Sequence, residues 1–167
     1  DVYTVEMAEF VETFAALAMP KEMKYLFFVE GGSLAVENAV KTAFDWKVRL
    51  NFQRGIEGEK GSKILHFKQA FHGRSGYCLS LTNTDPTKTK YFPKFDWPRV
   101  SNPMVVFPLS DNLRTIEEAE RLSIDEIEQA FIKNPDDIAA IIIEPIQGEG
   151  GDNHFRPEFH QALRRLA

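Results

Sequence analysis

Two glycines and a serine, Gly31-Gly32-Ser33, are the first residues in the sequence that could bind a ligand. They follow the apolar run 25–29, which predicts a buried strand, and they precede apolar residues at helical spacing from Val36 to Phe44. A glycine-rich turn at a helix N-terminus presents free backbone N–H groups, which suit an anion and especially a phosphate. The Ser33 hydroxyl could cap the helix or bind the anion. The alternative is an ordinary strand-to-helix turn that needs glycine for its backbone angles.

A second group, Phe71-His72-Gly73-Arg74, places an aromatic ring, an imidazole and a guanidinium within one short stretch. It follows the predicted strand 64–67, and ligands of open α/β sheets bind beyond the carboxyl ends of the strands. The group therefore favours a site that stacks on a flat ring and pairs with an anion. The spacing leaves an alternative equally open, in which Phe71 packs into the core while His72 and Arg74 face water.

A third candidate, Glu144, directly follows the run 138–143, which is the clearest buried parallel strand in the sequence. An acid at the end of a buried strand needs a partner. Glu144 therefore either belongs to a functional site or caps a neighbouring loop through hydrogen bonds. If the three groups converge at one edge of a sheet, they suit a phosphorylated aromatic cofactor.

Several other kinds of site are disfavoured by the motifs that the sequence lacks. It contains no Gly-x-Gly-x-x-Gly, which disfavours a dinucleotide site, and no Gly-x-x-x-x-Gly-Lys-Ser/Thr, which excludes a P-loop. The histidines at 66, 72, 154 and 160 lack the close spacing of metal ligands, so no metal site is predicted.

The elements that must position these residues alternate between helical and strand patterns. Helices are predicted over 4–18, 34–53, 116–131 and from Pro157 onward, and strands over 25–29, 64–67 and 138–143. The order strand, helix, strand between 25 and 67 predicts a right-handed βαβ unit with parallel strands, and so an α/β fold. Within the third helix, Ser123-Ile124-Asp125-Glu126 has the form of a capping box and indicates a restart there.

Two surface features are also predicted. Residues 83–108 are rich in proline and aromatic residues, which predicts a long ordered loop without regular structure. That loop lies either against a partner subunit or back on its own domain. The acidic residues between Glu117 and Glu128 predict a solvated helix face.

The composition excludes several classes of protein. A net charge of -5 gives no basic surface for nucleic acid, and no apolar run approaches the ~20 residues that cross a bilayer. A single cysteine, Cys78, excludes an internal disulfide and indicates a reducing compartment, so a cytoplasmic location is expected. The chain begins without methionine and ends inside a helical pattern, which predicts a piece of a longer protein.

Taken together, the three groups resemble the class III, fold-type I family of pyridoxal-phosphate-dependent aminotransferases. The similar segments are 31–41, 71–75 and 144–151, in the family's order and at compatible separations. The resemblance covers essentially the whole chain but only the first part of the family's large cofactor domain. It implies that residues 1–167 form a partial large domain, with a three-layer αβα fold and a mostly parallel sheet, from which the small domain is absent.

The resemblance implies how the cofactor, pyridoxal 5'-phosphate (PLP), would be bound. Gly32 and Ser33 would hold its phosphate through backbone N–H groups and the hydroxyl. Phe71 would stack on the pyridine ring with His72 beside it. Glu144 would lie near the ring and the acid that supports it.

The resemblance also implies two substrate-binding residues. Arg74 would pair with the α-carboxylate of the substrate, a task that suits its planar fork of donors. Glu149 would be a switch that pairs with an arginine nearer the C-terminus and moves aside for 2-oxoglutarate. The complete protein would act as a homodimer on an amino-acid donor and 2-oxoglutarate.

Four segments, 29–32, 79–84, 92–99 and 154–159, resemble the branch of the family that acts on the ε-amino group of lysine. The expected reaction moves that group from L-lysine to 2-oxoglutarate. The alternatives are an ornithine-type or 4-aminobutyrate-type donor, or a non-catalytic truncated domain that binds phosphate-bearing ligands.

The family's Schiff-base lysine and its aspartate on the pyridine nitrogen lie beyond the matching region. Lys41, Lys63 and Lys68 do not match the catalytic motif, so no catalytic residue is assigned within the chain. The isolated chain is therefore expected to lack transaminase activity.

Overall fold

The sequence folds around a parallel sheet with helices on both faces, and the computed structural model describes residues 2–167. The helices are α1 (Val5–Leu17), α2 (Gly32–Gln53), α3 (Cys78–Leu81), α4 (Leu109–Lys133) and α5 (Pro157–Leu166), with a single 3-10 turn at Pro86–Lys88. The strands are β1 (Lys63–Phe67), β2 (Arg99–Val100), β3 (Ile138–Ile141), β4 (Ile146–Gln147) and β5 (Asn153–His154).

The main sheet has the strand order β2-β1-β3, and both pairings are parallel. In its register, His66 lies opposite Arg99 and Leu65 lies opposite Ile141. Strands β4 and β5 form a separate antiparallel pair. Because β1 and β3 are parallel neighbours, the loops that follow them leave the sheet at the same edge.

Side-chain alternation along β1 divides the core into two layers. Leu65 and Phe67 pack with residues of α4 and α5, whereas Ile64 packs with residues of α2 and β3. The first cluster comprises Leu65, Phe67, Val100, Ile127, Ala130, Ile138, Phe155, Phe159 and Leu163; the second comprises Val40, Ile64, Leu81, Trp97 and Ala139. The helices therefore cover both faces of the sheet, and the predicted α/β fold with three layers is confirmed.

The predicted helices at 34–53 and from Pro157 are confirmed. Helix α2 begins at Gly32, two residues earlier than predicted, and α5 begins at Pro157 itself. Proline suits this first helical position, because its missing N–H would have no partner there and its backbone angle is already helical.

Helix α4 runs without a break, so the predicted restart at Ser123 is wrong. The Ser123 side chain is buried, and its hydroxyl donates to the carbonyl of Ser101 at 2.7 Å instead of capping a helix. The predicted solvated face is also wrong in part. Glu120 is buried against Arg156, and Glu126 accepts a hydrogen bond from the backbone N–H of Ser101.

The predicted strand at 25–29 is wrong, and so is the βαβ unit that depended on it. These residues pair with no strand, and Tyr25 and Phe27 are 90% and 77% exposed. Both sides of β1 are occupied by β2 and β3, so the apolar run has no edge of β1 to join. Among the described residues, the aromatic contact of this run with α1 joins Phe28 to Phe10, at 5.8 Å between ring centroids.

The loop 83–108 follows the second predicted alternative, in which it folds back on its own domain. The expectation of no regular structure is wrong in part, because the segment contains the 3-10 turn Pro86–Lys88 and strand β2. Its middle part folds back on the domain: the ring of Trp97 stacks on that of Phe95 at 5.1 Å and on that of Tyr77 at 6.0 Å. Tyr91 and Phe107 stay largely exposed. Within residues 2–167, no helix is long and apolar enough to cross a membrane.

Candidate functional site

The structure places the three groups of sequence-predicted residues next to one another. The backbone N–H of Phe71, in the loop after β1, donates to Oε1 of Glu144, which follows β3, at 2.7 Å. The backbone N–H of Ser75, in the same loop, donates to Oγ of Ser33 in the first turn of α2 at 3.3 Å. The site therefore lies where the carboxyl ends of two parallel strands meet the N-terminus of a helix.

The first turn of α2 can accept an anion. Gly31 is its N-cap with φ +85°, and no side chain caps the helix. Within residues 2–167, the backbone N–H groups of Gly32, Ser33 and Leu34 donate to no acceptor. A Cβ atom added to Gly31 or Gly32 would meet no atom within 4 Å, so the space there is open. Free amides and the helix dipole favour a negative group at this position.

The Ser33 hydroxyl is engaged with the loop after β1. Its Oγ lies 2.5 Å from Oγ of Ser75, whose hydroxyl donates to Oε1 of Glu37 at 3.2 Å. The same carboxylate oxygen accepts the backbone N–H of Cys78 at 3.0 Å. Gly76 makes this approach possible, because a Cβ atom there would lie 2.9 Å from Oε1 of Glu37.

Phe71 and His72 are held by backbone contacts. The Phe71 ring is half-buried, and Nζ of Lys88 lies 5.7 Å from its centroid. The backbone N–H of His72 donates to Oγ1 of Thr82 at 2.9 Å. His72 is buried and does not face water, which rules out that part of the alternative predicted for this loop.

The imidazole of His72 is neutral at pH 7, because burial lowers its pKa to about 4. Its Nε2 atom is buried and has no hydrogen-bond partner among the described residues. Buried polar atoms are normally paired, so the unpaired Nε2 marks His72 as a candidate residue of the site.

Glu144 caps two loops, which agrees with the loop-capping alternative predicted for it. Oε1 accepts the backbone N–H of Phe71 at 2.7 Å, and Oε2 accepts that of Gly148 at 3.3 Å. One carboxylate thus fixes the aromatic loop and the glycine-rich loop relative to each other.

Arg74 and Glu149 lie on the exposed side of the site. The Arg74 side chain is exposed and makes no ion pair or hydrogen bond within residues 2–167. Glu149 accepts hydrogen bonds from Nζ of Lys88 at 2.6 Å and from Oγ1 of Thr84 at 2.5 Å. These two hydrogen bonds lower the pKa of Glu149, and the hydrogen bond from Lys88 has the larger effect. The nearby positive charge of Arg74 lowers this pKa further.

Sequence reasoning missed four residues of this arrangement: Glu37, Ser75, Thr84 and Lys88. Glu37 could have been found, because it lies four positions after Ser33 in a predicted helix and so on the same face. Thr84 and Lys88 are more than sixty positions from Glu149, and no local spacing indicates that contact.

A comparison with known proteins identifies the class of protein that this fold and site define. The family model for aminotransferase class III matches residues 2–167, so the chain belongs to that family.

Among its relatives, the L-lysine-epsilon aminotransferase of Mycobacterium tuberculosis (strain ATCC 25618 / H37Rv) is 56% identical over 166 residues, which cover 99% of this chain and 36% of the relative. The human mitochondrial 4-aminobutyrate aminotransferase is 34% identical over 165 residues, which cover 89% of this chain and 33% of the relative. The solved lysine aminotransferase from M. tuberculosis superimposes with a TM-score of 0.94 at 54% identity, covering 99% of this chain and 38% of that structure. The chain thus spans about a third of the length of these relatives.

Proposed function

We propose that this chain is the first part of the PLP-binding domain of an aminotransferase that moves the terminal amino group of L-lysine to 2-oxoglutarate. The observation that carries the proposal is the 56% identity to a lysine-epsilon aminotransferase, against 34% for a 4-aminobutyrate aminotransferase. Residues 1–167 would then be a partial large domain, and the region that holds the Schiff-base lysine would lie outside them.

The residues present fit a phosphorylated ring cofactor. Unpaired amides at the start of α2 suit the phosphate, the half-buried Phe71 ring suits stacking, and the unpartnered Nε2 of His72 offers a buried polar contact. Gly32 and Ser33 would hold the phosphate, and Phe71 would stack on the ring with His72 beside it. When bound, PLP supplies the electron sink of the reaction.

The chain's own residues would orient the cofactor ring and bind the substrate carboxylate. Glu144 would keep the Phe71 loop and the Gly148 loop in place near the ring through its two backbone hydrogen bonds. His72, neutral at pH 7, would add no positive charge there. Arg74 presents an exposed guanidinium that could form a bidentate pair with a substrate carboxylate.

Glu149 would discriminate between the two substrates. Its negative charge would attract an amine-bearing side chain and would repel a second carboxylate until Glu149 moves. An arginine nearer the C-terminus would be its partner in the complete protein. Lys88 and Thr84 hold it in the structure described here.

Two further properties belong to this proposal. The protein would act as a homodimer, which is supported by the exposed aromatic side chains Tyr25, Phe27 and Tyr91. It would work in the cytoplasm, which is supported by its single, buried cysteine.

The experiment that tests the proposal measures glutamate formation from 2-oxoglutarate by the protein that carries this chain, with PLP and one amino donor at a time. We expect kcat/KM for L-lysine to exceed that for L-ornithine and 4-aminobutyrate by at least about tenfold, since a difference of about 1.4 kcal/mol in transition-state binding suffices.

A preference for ornithine or 4-aminobutyrate would reassign the donor. If PLP binds without turnover of any donor, the non-catalytic interpretation replaces the enzyme. The solved lysine aminotransferase from M. tuberculosis serves as the positive control for the assay.

A further inference from the structure

The polar cluster beside the first turn of α2 fixes the direction of its hydrogen bonds. Oε1 of Glu37 lies 3.2 Å from Oγ of Ser75, and a carboxylate only accepts, so Ser75 donates. Ser75 has one hydroxyl proton, and this contact uses it. Oγ of Ser33 lies 2.5 Å from Oγ of Ser75, so Ser33 must donate in that hydrogen bond.

A second contact agrees with that direction. The backbone N–H of Ser75 donates to Oγ of Ser33 at 3.3 Å, so the Ser33 oxygen acts as an acceptor on the same side. Gly73 packs directly on this oxygen with φ +109°, and a Cβ atom there would collide with Ser33. The Ser33 hydroxyl therefore faces the loop, and its proton is used within the protein.

The Glu37 carboxylate that accepts these hydrogen bonds is also shielded from water. Glu37 is only 6% exposed, and its Oε1 takes a further hydrogen bond from the backbone N–H of Cys78 at 3.0 Å. A buried carboxylate that lost these donors would be strongly destabilised. This fixes the direction of the relay, in which Ser33 donates to Ser75 and Ser75 donates to Glu37.

We propose that Glu37, acting through Ser75, keeps the Ser33 hydroxyl as a donor to the loop, so that the first turn of α2 binds a phosphate through its backbone amides and not through that hydroxyl. Ser75 and Glu37 are then positioning residues. The inference rests on the proposed function, because it concerns the same phosphate site, and it replaces the hydroxyl contact expected from sequence by contacts of the main chain.

The test compares affinities for PLP and for pyridoxal, which lacks the phosphate, in the apo form of the protein that carries this chain, by isothermal titration calorimetry. The ratio of the two dissociation constants isolates the contribution of the phosphate. We expect Ser33→Ala to keep this ratio within about threefold of wild type, since the hydroxyl donates no hydrogen bond to the phosphate. We expect Ser75→Ala to raise the preference for PLP about tenfold, because the freed Ser33 hydroxyl can then donate to a charged group.

Two further variants complete the design. Ser33→Ala combined with Ser75→Ala should return the ratio to that of wild type, and Ser75→Thr, which keeps a hydroxyl, should behave as wild type. Ser101→Ala is the matched control, because the Ser101 hydroxyl donates to Oε1 of Glu126 at a similar 3.1 Å. A purely structural role of Ser75 would weaken both ligands equally and leave the ratio unchanged.

A Ser33→Ala variant whose preference for PLP over pyridoxal is tenfold or more below that of wild type would overturn the inference, because the hydroxyl would then bind the phosphate directly. An unchanged ratio in folded Ser75→Ala would overturn the relay; if that variant does not fold, Ser33→Ala alone decides. Equal affinity of wild type for PLP and pyridoxal would instead contradict the phosphate site of the proposed function.

Discussion

His66 and Arg99 form a buried hydrogen bond between neighbouring strands. Nε of Arg99 donates to Nε2 of His66 at 3.0 Å, which requires a neutral imidazole. Burial, followed by the charge of Arg99, lowers the pKa of His66 from 6.5 to about 4. The imidazole is only 1% exposed, so water screens these effects little.

This pKa predicts that the fold loses stability in mild acid. In the unfolded chain the imidazole takes up a proton near pH 6.5, whereas in the folded chain it does so only near pH 4. The unfolded state therefore binds more protons within this window, and stability falls as the pH drops through it. We expect His66 alone to cost about 2 kcal/mol between pH 7 and pH 5.

Urea unfolding of wild type and of His66→Gln at these two pH values measures the effect. The glutamine keeps an acceptor for Arg99, and His72, whose pKa is also about 4, should account for the dependence that is left. His154→Gln, at an exposed position on β5, is the control and should lose as much stability between pH 7 and pH 5 as wild type does. An identical loss in His66→Gln and wild type would contradict the assignment.

At the same scale, the candidate site was predictable only as far as its motifs are local. The glycines at 31 and 32 and the Phe71-His72 pair are visible because neighbours in sequence create their signal. The contact of Glu149 with Lys88 depends on how two separate loops pack. From its charge alone, any surface lysine could be the partner of Glu149. The direction of the Ser33 hydroxyl depends likewise on Glu37 and Ser75, which the fold brings together.

Two elements, α4 and α5, are joined by an ion pair that is almost excluded from water. Nε and Nη2 of Arg156 donate to the two carboxylate oxygens of Glu120 at 2.8 and 2.7 Å, and the two side chains are 14% and 11% exposed. Arg156 is also the N-cap residue of α5, so the pair fixes the start of that helix against α4. Bidentate arginine–carboxylate pairs combine strength with a defined geometry.

We expect Arg156→Ala to destabilise the chain by about 3 kcal/mol, because it leaves the Glu120 carboxylate buried without its partner. The matched control is Arg114→Ala. Arg114 pairs with Glu118 at 3.2 Å, but these side chains are 93% and 54% exposed, so the expected loss is less than about 0.5 kcal/mol. Equal shifts of the urea midpoint in the two variants would contradict a structural role for the Arg156 pair.

The elements that the sequence predicted well are those whose pattern reports burial directly. Strands β1 and β3 are apolar runs, and both lie in the sheet. The run 25–29 is equally apolar, but a strand also requires a neighbour with free hydrogen-bonding groups, and no local pattern reveals one. The box at Ser123 failed for a related reason, since a distant carbonyl, that of Ser101, takes the hydroxyl that would otherwise cap a helix.

At the scale of the whole molecule, the described lysines around the site and the sheet already have polar partners. Lys88 is paired with Glu149 at 2.6 Å and Lys63 with Asp137 at 3.2 Å, while Lys68 donates to the hydroxyl of Ser101 at 3.1 Å. A lysine that forms a Schiff base must offer a neutral amine, which an ion pair with a carboxylate opposes. Among the described residues, the ion pairs of Lys63 and Lys88 therefore disfavour these two lysines as Schiff-base amines.

We accordingly expect the 167-residue chain, supplied with PLP, L-lysine and 2-oxoglutarate, to form no glutamate above the rate of PLP alone. Borohydride reduction in the presence of PLP, followed by peptide mass spectrometry, should label no single lysine stoichiometrically. The lysine aminotransferase from M. tuberculosis, treated in parallel, provides the positive control for turnover. Turnover together with a stoichiometric label on Lys88, which lies 5.7 Å from the Phe71 ring, would assign the catalytic amine to this chain. Labelling spread over exposed lysines without turnover would agree with a chain that lacks the catalytic amine.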